Sequence, residues 1–121
     1  MITLNDTVWW TDPDNGICSK LATVIDIRMM SDDGPTDEDE LTLKDSCGGI
    51  TGAYRSECEK VLSGKCILRS PLSMYYGETV TILGLVDPYE SDADENGLSY
   101  YIAYPDGSEG IAYGYNLKET I

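Results

Sequence analysis

The sequence predicts a mainly β protein built of two small units in tandem, with only short helical turns. Three observations carry this. Runs rich in Val, Ile, Thr, Trp and Tyr recur along the chain, each bounded by Gly, Pro, Asp or Asn, the pattern of strands joined by tight turns. A phrase also recurs: "SCGGITGAYRSEC" at residues 46 to 58 is echoed by "IAYPDGSEGIAYGYNL" at residues 102 to 117. Finally, a helix signature is confined to one short stretch near the middle.

In order, "DTVWW" is a strand and "TDPDNG" the turn that follows it. "LATVIDIRMM" is a second strand, with Ala22, Val24 and Asp26 on one face and Thr23, Ile25 and Ile27 on the other. Apolar residues on both faces make it a central strand. "SDDGPTDEDE" is an exposed acidic loop, and "LTLKD" a strand with Leu41 and Leu43 sharing a face. "SCGG" turns into the strand "ITGAY". In "RSECEKVLSG", Ser56 and Glu59 have the spacing of a capping box and Gly64 stands at a stop position, which predicts a helix of at most about two turns.

The second half repeats the order: strand "GETVTILGLV", acidic loop "DPYESDADENG", strand "LSYYIAY", turn "PDGSEG", and "IAYGYNLKETI" as a final strand with a short closing turn. Tyr54 and Tyr113 stand 59 residues apart, and the same offset pairs Gly48 with Gly107, Ala53 with Ala112, Leu43 with Ile102 and Cys58 with Leu117. "NDTV" at residues 5 to 8 parallels "GETV" at residues 77 to 80, at a larger offset. These matches divide the chain into units 1–64 and 65–121; "SGKCILRSPLS" reads as a linker or, through Ile67 and Leu68, as a shared strand. The alternative is one continuous sheet in which short Tyr and Gly phrases recur by chance.

Composition bounds function. At 121 residues the chain suffices for one ordinary domain or two very small ones, and its 41% hydrophobic content is enough for a core. There are nine Tyr and no Phe, so the aromatic work falls mainly to a ring with a wet hydroxyl. The formal charge of −14 argues against direct binding to nucleic acid or to anionic membranes. No apolar run reaches membrane-spanning length and "MITLNDTVWW" lacks the features of a secretory leader, so the expected compartment is the cytoplasm. Cys18, Cys47, Cys58 and Cys66 match no zinc-ligand spacing and there is no His, so buried or semi-buried free thiols are expected there, with a disulfide as the alternative on export.

"GETVTILG" followed by "YYIAYPDGSEGIAYGYNL" resembles the bacterial SH3-type barrel, through Gly77, Val80, Ile82, Asp106, Gly107, Gly110, Tyr113 and Leu117. The match covers about the last 45 residues; "DTVWWTDPDNG" and "TVIDI" resemble it more loosely, and are similar also to small proteins of gut bacteria and their mobile elements. The resemblance implies two tandem SH3-like barrels that bind peptides, glycans or cell-wall strands without catalysis. It does not fix the ligand. It also implies grooves lined by aromatic residues that receive Pro-rich segments or basic side chains.

Trp9 and Trp10, adjacent on a strand, must point to opposite faces, so one ring either packs between the two units or forms an exposed platform with Tyr75, Tyr76 or Tyr115. "DADENG" opens like a calcium loop with Asp92, Asp94, Asn96 and Gly97, but Ala103 stands where the bidentate Glu belongs; a hairpin loop closed by "NG" is the expectation, and no metal. Asp32, Asp33, Asp37, Glu38, Asp39 and Glu40 in one half, and Glu90, Asp92, Asp94 and Glu95 in the other, read as solvated loops or as a repeated negative surface. Without His, a nucleophile elbow or a phosphate loop, no catalytic residue and no cofactor are expected. Two functions follow: a non-enzymatic module that binds a protein or peptide, with acidic loops selecting basic partners, or an acidic inhibitor that imitates DNA before a DNA-binding or defence protein.

Overall fold

The structure is a computed structural model and describes residues 1–120; Ile121, the end of the expected final strand, lies outside the described residues. The chain divides into two compact units, Met1–Val61 and Leu62–Ile121, three residues short of the boundary expected from sequence. Among the described residues each unit holds one five-stranded antiparallel sheet. No described helix is long and apolar enough to cross a membrane.

The first unit contains β1 (Thr7–Trp10), β2 (Lys20–Arg28), β3 (Glu40–Lys44), β4 (Ile50–Tyr54) and β5 (Cys58–Lys60), in the order β4-β3-β2-β1-β5. The second contains β6 (Lys65–Leu68), β7 (Thr79–Leu85), β8 (Ser99–Ala103), β9 (Glu109–Tyr113) and β10 (Leu117–Glu119), in the order β10-β6-β7-β8-β9. Four strands meander, and the fifth returns to pair with the first. The same topology appears twice. A single 3-10 turn makes the return in each unit, Arg55–Glu57 before β5 and Gly114–Asn116 before β10.

The pairing register recurs between the two units. Val8 faces Ala22 across β1 and β2, and Cys66 faces Val80 across β6 and β7. Gly48 and Gly107 hold the two hairpins at φ of 86° and 87°, a conformation that favours glycine. Both β2 and β7 carry a bulge, after Val24 and after Ile82. The bulge corrects the expected alternation in β2: Asp26 does not follow Ala22 and Val24 inward, because the extra residue passes that place to Ile27, which packs against the core.

Equivalent residues are 58 apart up to the bulges and 59 apart from β3 and β8 onward, so the second unit has one extra residue between those strands. "NDTV" and "GETV" are therefore not counterparts. The first leads into β1 and the second into β7; the true counterpart of β1 is β6, within the stretch first read as a linker or shared strand. Trp10 thus corresponds to Leu68.

Alternate residues of these strands fill each core. In the first unit Val8, Trp10, Ala22, Val24, Leu41 and Leu43 cluster with Ile2 and Ala53. In the second, Cys66, Leu68, Val80, Tyr100, Ile102 and Ala112 are buried, with Leu98 and Leu117. Tyr100 fills the place of Leu41, and its hydroxyl accepts the Leu62 N–H at 2.9 Å.

The helix expected over residues 55 to 64 does not form. Glu57, not Glu59, caps the turn by accepting the Tyr54 N–H, and the residues beyond leave as β5 because Cys58 and Lys60 find sheet partners in Trp10 and Val8. A two-turn helix offers too few hydrogen bonds to compete with that ladder. The four cysteines are free thiols; Cys58 is half-buried and Cys66 buried, but Cys18 and Cys47 are exposed rather than buried or semi-buried. Burial pushes the Cys58 thiol up to about 12, with the Glu57 carboxylate adding to the shift. Alkylation at mildly alkaline pH is therefore expected to modify Cys18 and Cys47 well before Cys58, which peptide mass mapping would check.

Candidate functional site

A groove of about 420 Å³ opens on the first unit between the 11–19 loop, the β3–β4 face and the 3-10 turn. Trp10 and Tyr54 supply its aromatic surface, and Asp12, Asp14, Glu40 and Glu57 supply four carboxylates, with no Lys or Arg in the lining. The loop is braced from within. Asp12 accepts the N–H groups of Asp14 and Cys18 at 3.0 and 3.2 Å, and its own N–H donates to buried Ser19. Glu57 is held by two donors at one oxygen, Trp10 Nε1 at 3.2 Å and the Tyr54 N–H at 3.0 Å. The exposed Glu40 meets Arg28 at 3.6 Å, and Asp14 and Tyr54 are open to solvent.

Outside the groove lining, Trp10 also has a cation beside its ring, that of Lys20. Its Nζ lies 5.9 Å from the Trp10 ring centroid and 3.1 Å from Asp45. The Gly49 N–H and Lys20 together hold the Asp45 carboxyl below its ordinary range.

Asp39 departs from the expectation of a solvated acidic run. It is fully buried and accepts from the N–H groups of Met30 and Thr36, the Thr36 hydroxyl, and Arg55 Nε at 3.0 Å. The Met30 N–H, then Thr36 and Arg55, hold its carboxyl at about 2. Arg55 also donates to the Ile2 carbonyl at 2.8 Å, so one ion pair ties the amino-terminal segment, the 29–39 loop and the start of the 3-10 turn that carries Glu57. In the second unit the counterparts are Leu98 and Gly114. The backbone bond survives the exchange: Arg55 N–H to Asp39 carbonyl at 2.9 Å, Gly114 N–H to Leu98 carbonyl at 2.8 Å.

The remaining predicted acids, Asp32, Asp33, Asp37, Glu38, Glu40, Glu90, Asp92, Asp94 and Glu95, are exposed, and they fall in or beside loops between equivalent strands. "DADENG" lies in the exposed loop that joins the antiparallel strands β7 and β8, as expected, and within it Ala93–Asn96 form one helical turn, entered by Asp92 at a φ of 55° and closed by Gly97. Asn96 donates its side-chain amide to the Ser91 carbonyl, and no group of three His, Cys, Asp or Glu side chains among the described residues is arranged to hold a metal ion.

Neither tryptophan forms an exposed platform, since Trp9 is 2% exposed and Trp10 8%. Both belong to the first unit, whereas Tyr75, Tyr76 and Tyr115 belong to the second. There, Tyr75 stacks on Tyr104 with centroids 4.3 Å apart and Tyr115 on Tyr113 at 5.2 Å, while Tyr76 is exposed in the 70–77 loop. The Tyr75 hydroxyl donates to Asp106 at 2.6 Å, which raises the pKa of the phenol. Ser108 and then Tyr75 hold Asp106 at about 2.

Nothing in the local sequence marks Asp12, Asp14 or Glu57 as neighbours of Tyr54 in a site. Tyr54 itself does carry a signal, because the offset that pairs it with Tyr113 marks the end of the strand that walls the groove. Comparisons with protein-family models, curated proteins and solved structures find no match to the chain.

Proposed function

We propose that the protein is a non-enzymatic peptide-binding module whose first unit receives a basic segment of a partner protein. The observation that carries this is the groove itself, where four carboxylates surround Tyr54 and the edge of Trp10. A Lys or Arg side chain entering there gains charge-assisted hydrogen bonds and a ring face together. The five-strand order with a 3-10 turn before the returning strand supports the SH3-like reading of both units. A cytoplasmic setting, in which exposed Cys18 and Cys47 stay reduced, belongs to the same proposal.

The test is calorimetric titration of a short capped Lys/Arg peptide into the wild type, Asp14→Asn and Tyr54→Ala. Both positions are exposed, so the variants are expected to fold and to bind about fivefold or more weakly. Wild-type affinity in both would sink the groove as the site.

The exposed acids of the two equivalent loops favour a second reading, an acidic inhibitor that imitates DNA. The two readings separate on replacement of Asp32, Asp33, Asp37 and Glu38 by their amides. That change spares the peptide groove, but weakens a mimic whose affinity rests on many screened charges.

A further inference from the structure

The duplication places a second groove, of about 210 Å³, at the matching site of the second unit. Ala112, Tyr113 and Asn116 stand where Ala53, Tyr54 and Glu57 stand in the first, and Leu68 and Ser70 replace Trp10 and Asp12. The chemistry is inverted. Asp12, Asp14, Glu40 and Glu57 become Ser70, Leu72, Ser99 and Asn116, so all four carboxylates are gone.

What replaces them is uncharged: Ser70, Ser73 and Asn116 supply hydroxyls and an amide, beside the rings of Tyr104 and Tyr113 and the side chain of Ile111. Tyr104 takes the place of Asp45 and lies across Gly110, where any Cβ would come within 2.6 Å of its hydroxyl. Tyr104 and Tyr113 line the groove, each backed by its stacked partner, Tyr75 or Tyr115. Leu72 is 99% exposed on the adjoining loop and Ile111 is 61% exposed on β9. β9 is an edge strand paired only with β8 among the described residues, and its sequence EGIAY has neither Lys nor Pro to discourage a further strand.

We infer that this second groove binds an uncharged, extended peptide segment bearing apolar side chains, which lies along β9 and seats them against Tyr104, Tyr113 and Ile111. A peptide is favoured over a sugar because the open edge supplies main-chain hydrogen bonds in addition to the exposed side chains of Ile111 and Tyr113. A carboxylate or ammonium entering a lining without charges would lose hydration with no ion to replace it. The inference rests on the groove reading of the first unit, and extends it: the duplicated units have diverged so that one chain reads a basic stretch and an apolar stretch of its partner.

The test uses the full chain, with backbone amide shifts followed by NMR during titration of two probes: a capped Lys/Arg peptide, and a capped uncharged peptide alternating leucine and asparagine. The uncharged peptide is expected to shift amides of β9 and of the Gly114–Asn116 turn, and the basic peptide those of β4 and the Arg55–Glu57 turn. The combined variant Ser70→Asp, Leu72→Asp, Asn116→Glu restores three carboxylates at exposed or half-buried positions. It is expected to weaken the uncharged peptide about tenfold or more and to give the second unit affinity for the basic one. If the uncharged peptide shifts no second-unit amide, or if a β-linked N-acetylglucosamine oligomer shifts those amides and the peptide does not, the inference is overturned. Failure of the basic peptide on β4 sinks the first-unit reading instead, and is read from separate resonances.

Discussion

Trp10→Ala is expected to unfold the first unit at physiological temperature. The indole sits inside the core cluster with Val8, Val24 and Leu41, and its Nε1 anchors Glu57 on the 3-10 turn. Truncating a buried indole costs about 3–5 kcal/mol. A unit of some 60 residues has little more than that in reserve, because so small a domain buries only a modest share of its surface. The check is loss of dispersed amide resonances from β1 to β5; retention of a native first unit by this variant would overturn the packing described here. Loss of ligand binding in Trp10→Ala therefore reports folding. The exposed Asp14 and Tyr54 are the informative positions.

Arg55→Ala is expected to lower the melting temperature of the first unit by on the order of 10 °C, since it leaves Asp39 charged, buried and without its cation. The double variant Asp39→Leu, Arg55→Gly reproduces the second unit's solution, Leu98 with Gly114, and is expected to recover most of that loss. A double variant that melts below the single one would show that the two units solve this corner differently. The pair also sets a pH dependence. The folded carboxyl titrates at about 2, below its ordinary 3.8, so its stabilisation is complete above the ordinary value and is lost as pH falls through 3.8 toward 2. In the double variant that part of acid unfolding is expected to vanish, as a pH series of thermal melts would show.

Much of the architecture was legible because it rests on local chemistry. Strand periodicity put Leu41 and Leu43 on one face, Gly48 and Gly107 marked the hairpins, and the offset of 59 linked the two units. Where expectation failed, a long-range partner decided the outcome. Ser56 and Glu59 have helix-capping spacing, but Cys58 through Lys60 pair with β1, more than forty residues earlier. Asp39 reads as one more acid in a polar run until Arg55, 16 residues on, draws it inside. The bulge after Val24 likewise cannot be read from alternation, because it is a property of the pairing with β3.

By itself, then, the sequence determined the class of the protein: mainly β, strongly acidic, twice repeated, with aromatic rings weighted toward tyrosine. Those features depend on residue type and near-neighbour spacing. Only the tertiary structure decided that the tryptophans are buried rather than an exposed platform, that β6 is the counterpart of β1, and that Asp12, Asp14, Tyr54 and Glu57 share one groove. These side chains come from a loop, a strand and a 3-10 turn spread over more than forty residues, and no local spacing encodes their meeting. It follows from the return of the fifth strand to the first, which brings the 3-10 turn that carries Glu57 beside the loop that carries Asp12 and Asp14.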